Sequence, residues 1–298
     1  MIQSRVLIKK CIGQFYRTFI LVSLFSVFII SCAKEDTDDT AAVSKTDSVK
    51  LLNYSYGKNS LQKMDIYLQK GRTSSTPLLI CIHGGGWIEG DKNDIDPTLF
   101  IQSGFNVLNI NYRLANNKDI TCKDMMDDIG SALTKITENS ENWNIRKNSF
   151  VIYGFSAGAH LSMLYAYKYD FLNQVSAVIS YGGPTKLDEF QSFDNNIPQM
   201  INSMTGINWN ETGTIPESYK KYSPFYSNNY KPTFFIHGEK DTFIPLEQSE
   251  LMHNLLIEKE INTDFFILAN AGHGGEGASQ QQQEQMFIKL YNWVLKNS

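Results

Sequence analysis

The sequence predicts one doubly wound α/β domain on a mostly parallel, eight-stranded sheet. Three observations predict it. Short apolar runs recur along the chain, helical periodicities separate the later ones, and glycine-rich segments follow several of them. The chain has 298 residues, 42% hydrophobic and 19% charged, which is the balance of a globular protein and enough chain for one large domain.

The strands are expected at residues 49–56, 62–68, 78–82, 106–111, 150–153, 177–181, 233–237 and 263–268. The first two are close together and more polar, which suits an antiparallel edge. The middle ones, such as Leu78-Leu79-Ile80-Cys81-Ile82, are continuous apolar runs, as strands buried on both faces require. Helices are expected at 122–137, 157–169, 246–260 and 279–295; the first places Met125, Ile129, Leu133 and Ile136 on one face. The glutamine run 280–283 favours helix. Between the sixth and seventh strands lies a small insert, about 182–232, with no room for a large cap. It interleaves asparagines (Asn195, Asn196, Asn202, Asn208, Asn210, Asn228, Asn229) with Phe190, Phe193, Trp209, Tyr219, Tyr222, Phe225 and Tyr226. Aromatics beside amides suit sugar or phenolic rings; equally, they serve to pack the insert onto the sheet.

The amino-terminal segment reads as an address. Lys9, Lys10 and Arg17 precede an apolar run, 19–30, too short to cross about 30 Å of hydrocarbon. The run ends in Ile29-Ile30-Ser31-Cys32, which resembles a bacterial lipobox, with Cys32 as the lipid anchor. An acidic run, Lys34-Glu35-Asp36-Thr37-Asp38-Asp39, and a polar stretch follow. The expected organisation is a lipoprotein signal peptide at 1–31, a flexible tether at 32–47 and the folded domain at 48–298. The expected location is the outer membrane, on its periplasmic face or at the cell surface. Net charge is −4, and the leader holds basic residues without an acid, so the remainder is more acidic still. Nothing there would release phosphate counterions, and no nucleic-acid partner is expected. Beyond the leader and Cys32 only Cys81 and Cys122 remain. An oxidising compartment allows them to pair, but Cys81 reads as a buried strand residue and a free thiol is expected. No paired-cysteine metal spacing occurs, and no metal or cofactor is expected.

The chemistry concentrates where apolar runs end, since working residues of such sheets sit at the carboxyl ends of strands. Residues 150–153 lead into Gly154-Phe155-Ser156-Ala157-Gly158 and then a helical pattern. A G-x-S-x-G between strand and helix holds the serine hydroxyl above the sheet, making Ser156 the candidate nucleophile. Its base should be His273, in the glycine-rich loop Asn270-Ala271-Gly272-His273-Gly274-Gly275 after the last strand. His83 opens a glycine run, His160 lies on the helix after the serine, His237 ends a strand, and His253 is expected to be solvated. The carboxylate should lie between serine and histidine: Asp241 in His237-Gly238-Glu239-Lys240-Asp241, with Glu239 as rival. His83-Gly84-Gly85-Gly86-Trp87 follows another strand, and its glycines let backbone N–H groups converge on one oxygen; the Ala157 amide would add another.

In this order the motifs resemble those of the α/β-hydrolase superfamily, and within it the HGGG-type esterases. His83–Trp87, Asn111-Tyr112-Arg113-Leu114, Gly154–Gly158, Gly238–Asp241 and Gly272–Gly274 carry the resemblance over about residues 48–298. It is similar to the bacterial feruloyl-esterase-like (BD-FAE-like) branch, to acetyl-xylan esterases and to arylformamidases. The resemblance implies an α/β-hydrolase fold, a triad of Ser156, Asp241 and His273, and an oxyanion hole lined by Gly85, Gly86 and Ala157. Ala159 stands where many relatives carry glycine. The implied activity is carboxylic-ester hydrolysis through an acyl-enzyme, and the expected substrates are short-chain or aromatic acyl esters of carbohydrates (acetyl or feruloyl), the partner being a small-molecule or glycan ester. Alternatives are an arylformamidase or serine peptidase of the same fold, or a non-catalytic surface binding protein. Two motifs are coincidental. Gly272–Gly277 matches G-x-G-x-x-G but no second strand follows. His237-Gly238-Glu239 matches a zinc deaminase H-x-E without its cysteines.

Overall fold

The computed structural model describes residues 44–117, 119–189, 196–209 and 214–298. The expected leader, Cys32 and most of the tether lie outside them, as do Phe190, Phe193, Asn195 and Asn210. One sheet contains β1 (Val49–Ser55), β2 (Lys63–Leu68), β3 (Leu78–Ile82), β4 (Asn106–Ile110), β5 (Phe150–Phe155), β6 (Val175–Tyr181), β7 (Thr233–Gly238) and β8 (Thr263–Leu268). The spatial order is β1-β2-β4-β3-β5-β6-β7-β8. β2 runs antiparallel to both β1 and β4, and every other pairing is parallel. From β3 the chain moves outward to β4 and then back to β5 on the other side. The switch point therefore falls between β3 and β5, and the carboxyl ends of strands at such a point are where ligands of open α/β sheets bind.

Among the described residues there are seven α-helices: α1 (Thr98–Gln102), α2 (Cys122–Glu138), α3 (Ser140–Trp143), α4 (Ala157–Leu164), α5 (Ile197–Thr205), α6 (Glu247–Glu258) and α7 (Gln280–Asn297). Alternate strand residues feed two cores. Ile80, Ile82, Leu108 and Ile152 meet α2 and α4 through Met125, Ile129, Leu133 and Leu161. Leu79, Cys81, Val107, Val151 and Phe234 meet α7 through Phe287, Leu290, Trp293 and Val294. α7 opens on a capping box, with the Ser279 N–H donating to Gln282 Oε1 and the Gln282 N–H to Ser279 Oγ.

The helix expected at 157–169 is divided. α4 gives way to a π-helical turn, Tyr165–Tyr169, in which the Asp170 N–H reaches the Tyr165 carbonyl. There Tyr167 is buried with its hydroxyl 2.5 Å from Thr233 Oγ1. The short α1, α3 and α5 were not foreseen, because helices of so few turns leave little periodicity to read. Cys81 and Cys122 are free and buried. Among the described residues no helix is long and apolar enough to cross a membrane.

Candidate active site

β5 ends in a turn that leaves Ser156 at φ 53° and ψ −119°, immediately before α4. The packing explains the glycines on either side. A Cβ on Gly154 would lie 2.3 Å from the Gly158 carbonyl oxygen, and one on Gly158 would lie 2.1 Å from that of Ile82. The Ser156 N–H donates to the Tyr181 carbonyl at 2.8 Å, tying the elbow to the end of β6.

Ser156 Oγ lies 2.9 Å from His273 Nε2, and His273 Nδ1 lies 2.6 Å from Asp241 Oδ2. The structure thus brings together the three residues singled out from three separate loops. Burial pushes the Asp241 carboxyl upward, but hydrogen bonds from His237 and His273 outweigh it and hold the group below the usual carboxylate range. An ionised Asp241 makes His273 Nδ1 the donor, which leaves Nε2 free to accept the serine hydroxyl. Asp241 Oδ1 also accepts from the Phe243 and Ile244 amides, both at 2.9 Å. Glu239 plays another part: its Oε2 accepts the Asn270 N–H at 2.7 Å and so pins the histidine loop.

The glycine loop after β3 lies against the elbow, for a Cβ on Gly84 would come within 3.2 Å of Ser156 Cβ. Gly85 and Gly86 have φ of 95° and 56°. Their amides and that of Ala157 donate no backbone hydrogen bond within the described residues. Tyr112 braces the loop: its ring stacks on His83 at 4.4 Å and its hydroxyl lies 3.1 Å from the His83 carbonyl. Arg113 beside it forks onto the buried Asp128, with Nη2 2.7 Å from Oδ1. Ala159 is buried on α4 against Gly183.

Several residues escaped the sequence reading. His237 Nε2 faces two acceptors, Ile244 O at 2.8 Å and Asp241 Oδ2 at 3.1 Å, so it donates and adds a second histidine to the aspartate. Its spacing four residues before Asp241 was the available signal. Phe155 and Phe243 flank the His273 ring, with centroids 5.1 and 5.6 Å away. In the insert, Met200 Sδ occupies the space a Gly86 Cβ would need. His253 is not solvated: it is half-buried, with Nδ1 2.9 Å from Thr263 Oγ1. Of the insert aromatics, Tyr219 is fully buried with its hydroxyl on Asn202 Oδ1, and Trp209, Tyr222 and Phe225 pack on the core. Packing accounts for these four.

Raising a serine on a strained turn at the switch point of a parallel sheet is how α/β-hydrolases are built, and the fold places this protein among them. Its family is narrower: the chain belongs to the BD-FAE family, whose model matches residues 64–256. Esterase LipC of Mycobacterium tuberculosis is 25% identical over 74% of this chain and 58% of its own length. Kynurenine formamidase of Danio rerio is 25% identical over 45% of this chain and 43% of its own. The chain thus spans under two thirds of either relative. A truncated carbohydrate esterase from gut microbiota superposes with a TM-score of 0.69 at 20% identity, over 85% of this chain and 99% of that one.

The buried histidines set an acid limit on stability. Burial pushes His160 down to about 4 and lowers His83 and His253 below 6.5. Unfolded, they titrate near 6.5, so between about 6.5 and 4 the unfolded chain binds more protons. Stability is complete above that window and is lost as pH falls through it. Asp241, held below 3.8, adds a further loss only below that value. The unfolding free energy from denaturant titration should be lower at pH 4.5 than at pH 7.5 by about 2–3 kcal/mol from His160 alone. A flat profile across that range contradicts this account.

Proposed function

We propose that the protein is a serine carboxylic-ester hydrolase working through an acyl-enzyme. The observation that carries this reading is the unbroken hydrogen-bonded line from Asp241 through His273 to Ser156. Ser156 Oγ attacks the ester carbonyl while His273 Nε2 takes its proton. The negative oxygen of the tetrahedral adduct sits among the amides of Gly85, Gly86 and Ala157, each worth about 3 kcal/mol in the transition state. Collapse expels the alcohol, which takes the proton from His273. A water, deprotonated by the same nitrogen, then releases the carboxylic acid and restores Ser156. Asp241 keeps the imidazole in the required tautomer and stabilises its protonated form.

The substrate class we assign is short-chain or aromatic acyl esters of carbohydrates. Membership of BD-FAE and the fold shared with a carbohydrate esterase support it. Phe243, 39% exposed beside His273, offers an aromatic wall at the mouth of the site. An arylformamidase is the second reading, favoured by the likeness to kynurenine formamidase. We further propose that Cys32 carries the lipid that anchors the protein to the outer membrane, since stable attachment needs more than one acyl chain and lipoprotein processing supplies them.

Ser156→Ala should abolish ester hydrolysis, by at least about 10⁴-fold, and labelling by a fluorophosphonate, while unfolding midpoints stay unchanged. Asp241→Asn should lose about 10³–10⁴-fold in kcat, because its amide nitrogen would face two donors. Glu239→Gln should lose about tenfold or less. The reverse order would exchange the two acids, and an unlabelled wild type would favour a binding protein. In a panel of aryl acetate, butyrate and dodecanoate, methyl ferulate, acetylated xylan and N-formylkynurenine, kcat/KM should be highest on acetyl or feruloyl esters. Preference for the dodecanoate would overturn the substrate assignment, and preference for N-formylkynurenine would promote the formamidase. Cys32→Ser should shift the protein from the membrane fraction to the soluble one. Failure of labelled palmitate to enter the wild type would remove the anchor.

A further inference from the structure

His160 takes part in none of these steps, yet it is fully buried and both ring nitrogens are engaged. Nε2 lies 2.7 Å from the Tyr222 carbonyl, which can only accept, so Nε2 carries the hydrogen. Nδ1 is then a bare lone pair, and the Trp87 indole N–H donates to it at 3.2 Å. No other placement of the hydrogens satisfies both partners. His160 is also tied to the nucleophile, since its backbone N–H donates to the Ser156 carbonyl at 3.1 Å.

Trp87 directly follows the glycines of the proposed oxyanion hole, and its φ is 66°. That conformation is strained for so bulky a residue and persists only where the surroundings over-determine it. Two bonds hold it: the Ala115 N–H donates to its carbonyl at 2.8 Å, and its indole is pinned to His160. Gly85, Gly86 and Trp87 are three successive residues with positive φ, and the Ile88 and Glu89 amides close the same turn on the Gly85 carbonyl, so Trp87 is part of the turn that carries the first two amides.

We propose that His160 is a positioning residue that fixes the oxyanion loop relative to Ser156 through the Trp87 indole. The Tyr222 carbonyl, from the insert, selects the tautomer that makes this bond possible. The proposal rests on the ester-hydrolase reading above.

The test uses the full chain, a soluble aryl acetate and a phenylboronic acid, whose adduct with serine mimics the tetrahedral intermediate. His160→Asn places an amide oxygen where Nδ1 stood and keeps an acceptor for Trp87. His160→Gln reaches Tyr222 but offers Trp87 nothing, and His160→Phe keeps the ring and neither bond. The Phe and Gln variants should lose about 10²-fold in kcat with KM within about threefold, and boronate affinity should fall in parallel. The Asn variant should recover to within about tenfold of wild type. Trp87→Phe should match His160→Phe and add nothing to it in the double variant. Unchanged kcat in the Phe and Gln variants, multiplying losses in the double variant, or unchanged boronate affinity with lowered kcat would each overturn the proposal. If His160→Phe does not fold, Trp87→Phe and His160→Gln make the same comparison. Full activity in Ser156→Ala would instead remove the hydrolase reading itself.

Discussion

The backbone of Ser156 is the constraint around which the carboxyl end of the sheet is organised. At φ 53° and ψ −119° it is a conformation worth about 1–3 kcal/mol of strain, and the surroundings must hold it. They do so with backbone. Its N–H is bound to the Tyr181 carbonyl, and its carbonyl receives the amides of Ala159 and His160. The chain on either side packs so closely that Gly154 and Gly158 have no room for a side chain. Because those contacts come from β3, β5 and β6, the elbow also sets the spacing of three strand ends. The strain is therefore distributed over the centre of the fold, where burial on both faces allows little relaxation.

The partners of Ser156 arrive by the same logic from the next two strands. β7 and β8 end in register, Gly238 opposite Leu268, so the loops carrying Asp241 and His273 leave the sheet side by side. They are then stapled together. The Lys240 N–H reaches the Ala271 carbonyl, Asn270 donates to Glu239, and a Cβ on Gly238 would lie 2.1 Å from the Gly272 carbonyl oxygen. The histidine loop closes on itself through Glu276, which accepts the Gly274 amide at its carboxylate and that of Gly272 at its carbonyl. The imidazole is thus held by a loop with little freedom, although glycines make up much of it.

What the sequence revealed and what it hid divide along physical lines. β3 to β7 were legible because burial on both faces demands mainly apolar runs, unbroken in β3 and interrupted by Asn109 in β4 and Ser180 in β6, and the loops were legible because close approach demands glycine. Ser156, His273 and Asp241 could be named from loop order, and the structure sets them within hydrogen-bonding reach. Hidden were contacts whose partners are distant in sequence and whose residue types are ordinary. Met200 against Gly86, Tyr222 under His160 and Tyr112 on His83 have no local pattern. His237 stood within the acid motif, and its only signal was the spacing of four residues to the carboxylate to which it donates. The insert aromatics left two readings open, ring binding and packing onto the sheet, and Tyr219, Trp209, Tyr222 and Phe225 take the second.

The charge of Asp241 connects these levels. Its side chain is wholly buried, and burial alone would favour the neutral acid, which cannot orient an imidazole as the proposed chemistry requires. Four donors reverse that preference: His237, His273 and the amides of Phe243 and Ile244. Three of them lie within four residues of the aspartate, so the end of β7 and the turn after it together supply most of the solvation that water would otherwise give. The fourth is His273 itself, whose bond therefore both steadies the anion and fixes the ring. A carboxylate solvated in this way by its own turn is set before any substrate arrives, and it need not reorganise as positive charge develops on the histidine. Phe243 gives that shell its amide only: its partly exposed ring, and Met200 from the insert, lie outside it. On the function proposed above, those two side chains can change with the insert and the rim while the charged line behind them stays unchanged.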